Sequence, residues 1–154
     1  MTRGVMGEFR FLLNGKVVTV KAPPCYTLLE VLRYVLRMTG TKEGCARGDC
    51  GECTVLLDGE PVHACLTVMT QVEGRSVTTI EGIDPQHPLV RAFVEAGAVQ
   101  CGHCTPGLII SSYALLSRNP SPTEEEVREA IRGNLCRCTG YSKIVRAVLS
   151  AAGV

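Results

Sequence analysis

Three cysteines fall within nine residues, in the stretch Cys45-Ala-Arg-Gly-Asp-Cys50-Gly-Glu-Cys53, and a fourth, Cys65, follows a short way on. A Cys-x4-Cys-x2-Cys run with a distant fourth thiol is the plant-type spacing for a [2Fe-2S] cluster. A loop that surrounds two irons has to turn its backbone amides inward, toward sulfur. Gly44, Gly48 and Gly51 suit that need, because glycine reaches left-handed dihedrals at little steric cost and lets backbone approach closely. A structural zinc knot also takes four thiolates, but it usually joins two short Cys-x2-4-Cys units. Cys45, Cys50, Cys53 and Cys65 are therefore read as ligands of a [2Fe-2S] cluster.

The whole chain carries nine cysteines, a number that calls for a use. A disulfide framework would go with a secretory signal, yet Met1 to Phe11 is broken by Arg3, Gly4, Gly7, Glu8 and Arg10 and has no apolar h-region. Metal in a cytoplasmic protein is the better account. A net charge of +1 without a basic cluster excludes a phosphate-reading surface, so no nucleic-acid partner is expected. No apolar run reaches the roughly 18 residues of a membrane span. Hydrophobic content of 45% allows a proper core.

Along the chain, Glu8 to Leu13 and Val17 to Val20 flank Asn14-Gly15, the strongest short hairpin signal. Pro23-Pro24 ends that hairpin. Thr27 can cap a helix whose apolar positions Leu28, Val31, Leu32, Val35 and Leu36 recur at helical spacing. After the cysteine loop, Thr54 to Leu57 and Glu60 to His63 flank Asp58-Gly59, a second hairpin that delivers Cys65 beside the loop. Ser76 to Ile80 reads as one more strand. Cys25 lies outside the ligand pattern and reads as a small buried or idle thiol, and His63 as a surface or packing residue. These elements make an α+β unit.

Gly82 to Pro88 is turn chemistry and marks a boundary, giving domains 1–81 and 82–154. Beyond it the signals are helical. Helices are expected from Pro88 through Ala96, Thr105 through Leu116, a Thr123-Glu124-Glu125-Glu126 capping box through Arg132, and Tyr141 through Ala151. Together they suggest a four-helix bundle.

The bundle's thiols are Cys101-Gly-His-Cys104 and Cys136-Arg-Cys138, each pair just ahead of a helix. A helix N-terminus offers free amides and a positive dipole end, which stabilise thiolates. The spacing is not the plant type, so it admits either a second [2Fe-2S] cluster or a zinc ion held by four thiolates. His103 reads as a packing residue or a partner behind the ligands. Arg137, between two ligands, reads equally as a cluster-tuning charge and as a solvated surface cation.

Three long motifs stand in order: Gly44-Cys45 through Gly51-Glu52-Cys53-Thr54-Val55, then Gln100-Cys101-Gly102-His103-Cys104-Thr105-Pro106-Gly107, then Gly133-Asn134-Leu135-Cys136-Arg137-Cys138-Thr139-Gly140-Tyr141. With them the chain resembles, over essentially its whole length, the small iron-sulfur subunit of molybdenum hydroxylases, the xanthine dehydrogenase and aldehyde oxidoreductase family. The resemblance implies a plant-ferredoxin-like (β-grasp) N-terminal domain and an all-α four-helix-bundle C-terminal domain, each with a [2Fe-2S] cluster. The second would be held by Cys101, Cys104, Cys136 and Cys138, which removes zinc there. His103 departs from the aromatic residue common at its position. The resemblance further implies an electron-transfer role, from a Mo-pterin centre through both clusters to FAD. Mo-pterin would sit on a large subunit and FAD on a medium one, in a heterotrimer that can dimerise, with the substrate site on a partner. Gln100 and the Cys138 region would touch the Mo-pterin.

Overall fold

The computed structural model describes residues 6–153. Strands β1 (Gly7–Leu13) and β2 (Lys16–Ala22) pair antiparallel across Asn14-Gly15. Both turn residues have positive φ, 51° and 78°, as a type I′ hairpin requires. Phe9, Phe11 and Leu13 alternate inward, the period-2 pattern of a strand with one buried face. Strands β3 (Thr54–Leu57) and β4 (Glu60–His63) form the second hairpin around Asp58-Gly59, with His63 opposite Thr54. Strand β5 (Ser76–Thr78) lies between the hairpins, parallel to β1 and antiparallel to β3, giving the order β2-β1-β5-β3-β4. It is two residues shorter than the expected Ser76–Ile80 strand, because Ile80–Gly82 closes into a 3-10 turn.

The expected helix after Thr27 forms only in part. Thr27 and Glu30 make a reciprocal capping box over α1 (Leu28–Glu30), after which Val31–Val35 adopts the wider i→i+5 spacing of a π-helix. Leu36 N–H accordingly donates to Val31 O at 2.9 Å. The wider turn changes the angular step between side chains, so the 3.6-residue pattern fails at its far end. Leu28, Val31 and Leu32 are buried in the sheet's core, whereas Val35, expected inward, is 41% exposed.

The C-terminal half is helical: α2 (Pro88–Glu95), α3 (Thr105–Arg118), α4 (Glu124–Ile131) and α5 (Ser142–Ala152). Pro88 occupies the first turn of α2, and Thr123 with Glu126 forms the capping box of α4. Leu89, Phe93, Leu108, Val127, Ile131, Ile144 and Val148 form the bundle core.

The halves are packed together, and β3 is the seam. All four of its residues are buried. Val55 and Leu57 face the core of the sheet domain, while Leu56 joins Ile83, Ile110 and Ala114 on the other side. A strand covered on both faces reads as a continuous apolar run, which Val55-Leu56-Leu57 is. Arg118 on α3 adds an ion pair to Glu60 at 2.6 Å.

Candidate metal centres

The first site grows out of the loop before β3. Gly48 and Gly51 have φ of +89° and +72°, and Ala46 is also left-handed at +53°. A side chain at Gly44 would collide with Glu52 and with Cys50 Sγ, so the loop needs glycine there for room rather than for its dihedral. Asp49 N–H donates to Cys45 Sγ at 3.2 Å, an inward-turned amide of the kind such a loop should supply. Cys53 immediately precedes β3, and Cys65 follows β4 and lies within side-chain hydrogen-bonding reach of Cys53. Cys45 and Cys50 make a second pair.

The second site is assembled from two loops. Cys104 is the residue from which α3 starts, and the 136–138 turn leads into α5 through Tyr141, itself left-handed at φ +68°. The Cys138 thiol faces Cys101 Sγ at 3.6 Å, and Cys104 is within reach of Cys136. Among the described residues no three His, Cys, Asp or Glu side chains converge on a point that could hold one metal ion. The eight thiols stand instead as four pairs, two at each site. Two thiol pairs per site fit the donor set of a two-iron cluster held by four cysteines. Cys25 is exposed, so the buried reading of that thiol does not hold.

Each site has a sheltered pair and a more open one. Cys53 and Cys65 are buried, as is Cys104, while Cys101 and Cys138 are exposed. Burial pushes the free Cys53 and Cys104 thiols up to about 12. The Arg47 backbone amide, with further donors, brings Cys45 down to about 7. At Cys136 burial acts upward, but the hydroxyl and amide of Thr139, the Cys104 thiol and the Cys138 amide together hold it below the ordinary thiol value.

The sites are joined through Asn134, which sequence reasoning matched within a motif without assigning it a role. Its buried side chain donates to Gly51 O at 2.8 Å and Thr54 Oγ1 at 3.2 Å and accepts from Ser111 Oγ at 2.7 Å. Leu135 N–H donates to Cys50 O at 2.8 Å. A side chain at Gly51 would collide with Gly133 O, and one at Gly107 with Gly51 O, so the two loops touch backbone to backbone. His103 Nε2 lies 3.0 Å from the Glu52 carboxylate, so it links the loops rather than packing as a plain apolar residue would. Gln100 and Arg137 are exposed.

Residues 15–98 match the family described as 2Fe-2S iron-sulfur cluster binding domain, and residues 79–149 the [2Fe-2S] binding domain. The nicotine 6-hydroxylase small subunit of Paenarthrobacter nicotinovorans is 50% identical over 92% of this chain and 87% of its own length. The nicotinate dehydrogenase small FeS subunit of Eubacterium barkeri is 48% identical over 88% of each chain. The chain belongs to the small [2Fe-2S] subunits of molybdenum hydroxylases, the xanthine dehydrogenase and aldehyde oxidoreductase family. A chain of quinoline 2-oxidoreductase from Pseudomonas putida 86 superposes with a TM-score of 0.93 at 40% identity, covering 96% of this chain and 94% of that one. This small subunit is thus an electron-transfer component of a multi-subunit oxidoreductase, with two [2Fe-2S]-binding domains. No helix among its described residues is long and apolar enough to cross a membrane.

Proposed function

We propose that this subunit relays electrons from a Mo-pterin centre on a large subunit, through a cluster in the helical domain and one in the ferredoxin-like domain, to FAD on a medium subunit. Cys45, Cys50, Cys53 and Cys65 hold the cluster of domain 1–81. Cys101, Cys104, Cys136 and Cys138 hold that of domain 82–154. Gln100 and Cys138 meet the Mo-pterin. The complex is a cytoplasmic heterotrimer that can dimerise, and its substrate site lies on a partner.

The observation that carries this reading is the Leu135 N–H to Cys50 O hydrogen bond, which connects the backbone next to Cys136 directly with a thiol-bearing residue of the other loop. One hydrogen bond and about ten covalent bonds then link the Cys136 and Cys50 sulfurs, and the buried Asn134 holds that contact rigid. The exposure of Gln100, Cys101 and Cys138 suits a face that meets another redox centre. Leu135, 52% exposed, and Val99, 40% exposed, supply apolar area beside it. Leu66, 58% exposed and packed near Gly48, does the same beside the first loop.

Anaerobic reduction of the purified complex by its substrate tests the order. In a Cys50→Ser form, Mo-pterin and the helical-domain cluster should still be reduced while flavin reduction is largely lost. Flavin reduction at the unmodified rate without the N-terminal cluster would refute the order. Gln100→Ala should slow electron entry with both clusters intact, and unchanged entry would remove Gln100 from the contact.

A further inference from the structure

Around Cys136 the second site carries a closed set of hydrogen bonds that ligand counting does not require. The Thr139 hydroxyl donates to Cys136 Sγ at 3.1 Å. Its oxygen also accepts the Tyr141 backbone N–H at 3.3 Å. A hydroxyl has one proton and two lone pairs, so engaging the oxygen from the Tyr141 side leaves its proton turned toward sulfur. The Tyr141 ring closes the set from the other end. Its Oη accepts Cys136 N–H at 2.7 Å and donates to Asn134 O at 3.1 Å.

Tyr141 makes these contacts from a left-handed conformation, φ +68°, that a non-glycine residue adopts only where the surroundings enforce it. The residue after it begins α5, so the bundle anchors the arrangement. At the first site the corresponding donor to Cys45 is a backbone amide, that of Asp49. Among the donors to Cys136 the Thr139 hydroxyl belongs to a side chain, which a single substitution removes while the backbone donors stay.

We infer that Thr139, aimed by Tyr141, sets the reduction potential of the helical-domain cluster by stabilising negative charge on the Cys136 sulfur. One-electron reduction makes a cluster and its thiolates more negative. A donor to ligand sulfur therefore favours the reduced form and raises the potential. Thr139 acts through Cys136 and is a positioning and tuning residue rather than a ligand. The inference rests on the proposed assignment of Cys136 as a cluster ligand.

The purified complex is titrated potentiometrically with EPR detection of each reduced cluster, and iron is counted, in Thr139→Val, Thr139→Ala and Thr139→Ser forms. Valine and alanine should retain full iron while the helical-domain midpoint falls. At the unmodified midpoint the reduced-to-oxidised ratio should drop roughly five- to tenfold, tenfold being about 59 mV for a one-electron couple. The other cluster should keep its midpoint, and serine, which restores the hydroxyl, should return the unmodified value. An unchanged midpoint in both valine and alanine forms overturns the inference. So does an equal shift in serine and alanine, which would implicate the methyl group, or loss of the cluster in both hydroxyl-free forms, which would make the role structural. The underlying assignment fails differently: the unmodified subunit would then hold about two irons instead of about four.

Discussion

In the ferredoxin-like domain one contiguous loop brings three thiols and a hairpin returns the fourth, whereas the helical domain assembles its four from two loops, each placed ahead of a helix. The first site is a local object braced by a sheet. The second exists only if α3 and α5 are packed correctly, since Cys104 starts one helix and Tyr141, which clamps the Cys136 turn, precedes the other. Their openness differs as well. The sheet site buries both Cys53 and Cys65, while the helical site leaves the Cys101 and Cys138 pair in the open. A site braced by local structure tolerates being enclosed. In the proposed relay both sites meet a cofactor on another chain, and the helical site would do so with one thiol pair at the surface and its rigidity taken from the helices behind it.

The largest effects should come from the sheltered cysteines proposed as ligands. Cys53→Ser and Cys104→Ser should each lower iron from about four to about two per chain, leaving the EPR signal of the other cluster. Loss of both clusters from either change would show the sites to be interdependent, and retention of all iron would remove that cysteine from the ligand set.

The glycines sharpen the contrast next. Gly51→Ala places a side chain against Gly133 O and Asn134 at a φ of +72°, while Gly102, at +84°, has open space around it. Overpacking added to the left-handed penalty should cost about 2–5 kcal/mol at Gly51. The left-handed penalty alone should cost about 1–2 kcal/mol at Gly102. Urea denaturation of the cluster-loaded subunit measures both, and equal costs would mean that the loops are not in tight contact.

His103→Phe tests the more exposed link between the loops. The His103 side chain is half exposed, so its pair with Glu52 should contribute no more than about 1 kcal/mol. A larger loss in the same denaturation experiment would make this pair, rather than Asn134, the main clamp. Smallest of all, Cys25→Ser should change neither iron content nor EPR spectrum, because Cys25 falls outside both cysteine motifs. Any loss of iron would break the division of the cysteines.

Local chemistry was legible where one short stretch carries both the signal and its consequence. Asn14-Gly15 and Asp58-Gly59 announced their hairpins because only a few residue types tolerate the dihedrals of those turns. The cap at Thr27 and the capping box at Thr123 were also readable, because few side chains can satisfy the free amides of a first helical turn. The π-helical turn at Val31–Val35 was not, since the residues suit an ordinary helix equally well and the wider spacing is not marked in their pattern.

By itself, then, the sequence determined two thiol sets, the order of a sheet domain and a helical domain, and the family, because spacing within a loop and motifs along a chain are properties of covalent order. Only the tertiary structure decided how those parts meet. That Asn134 reaches Gly51, that Leu56 is buried beneath α3 and that Glu52 faces His103 are outcomes of packing. Each depends on backbone directions set by contacts far away in sequence, and residue order alone does not specify which buried polar group will satisfy which other.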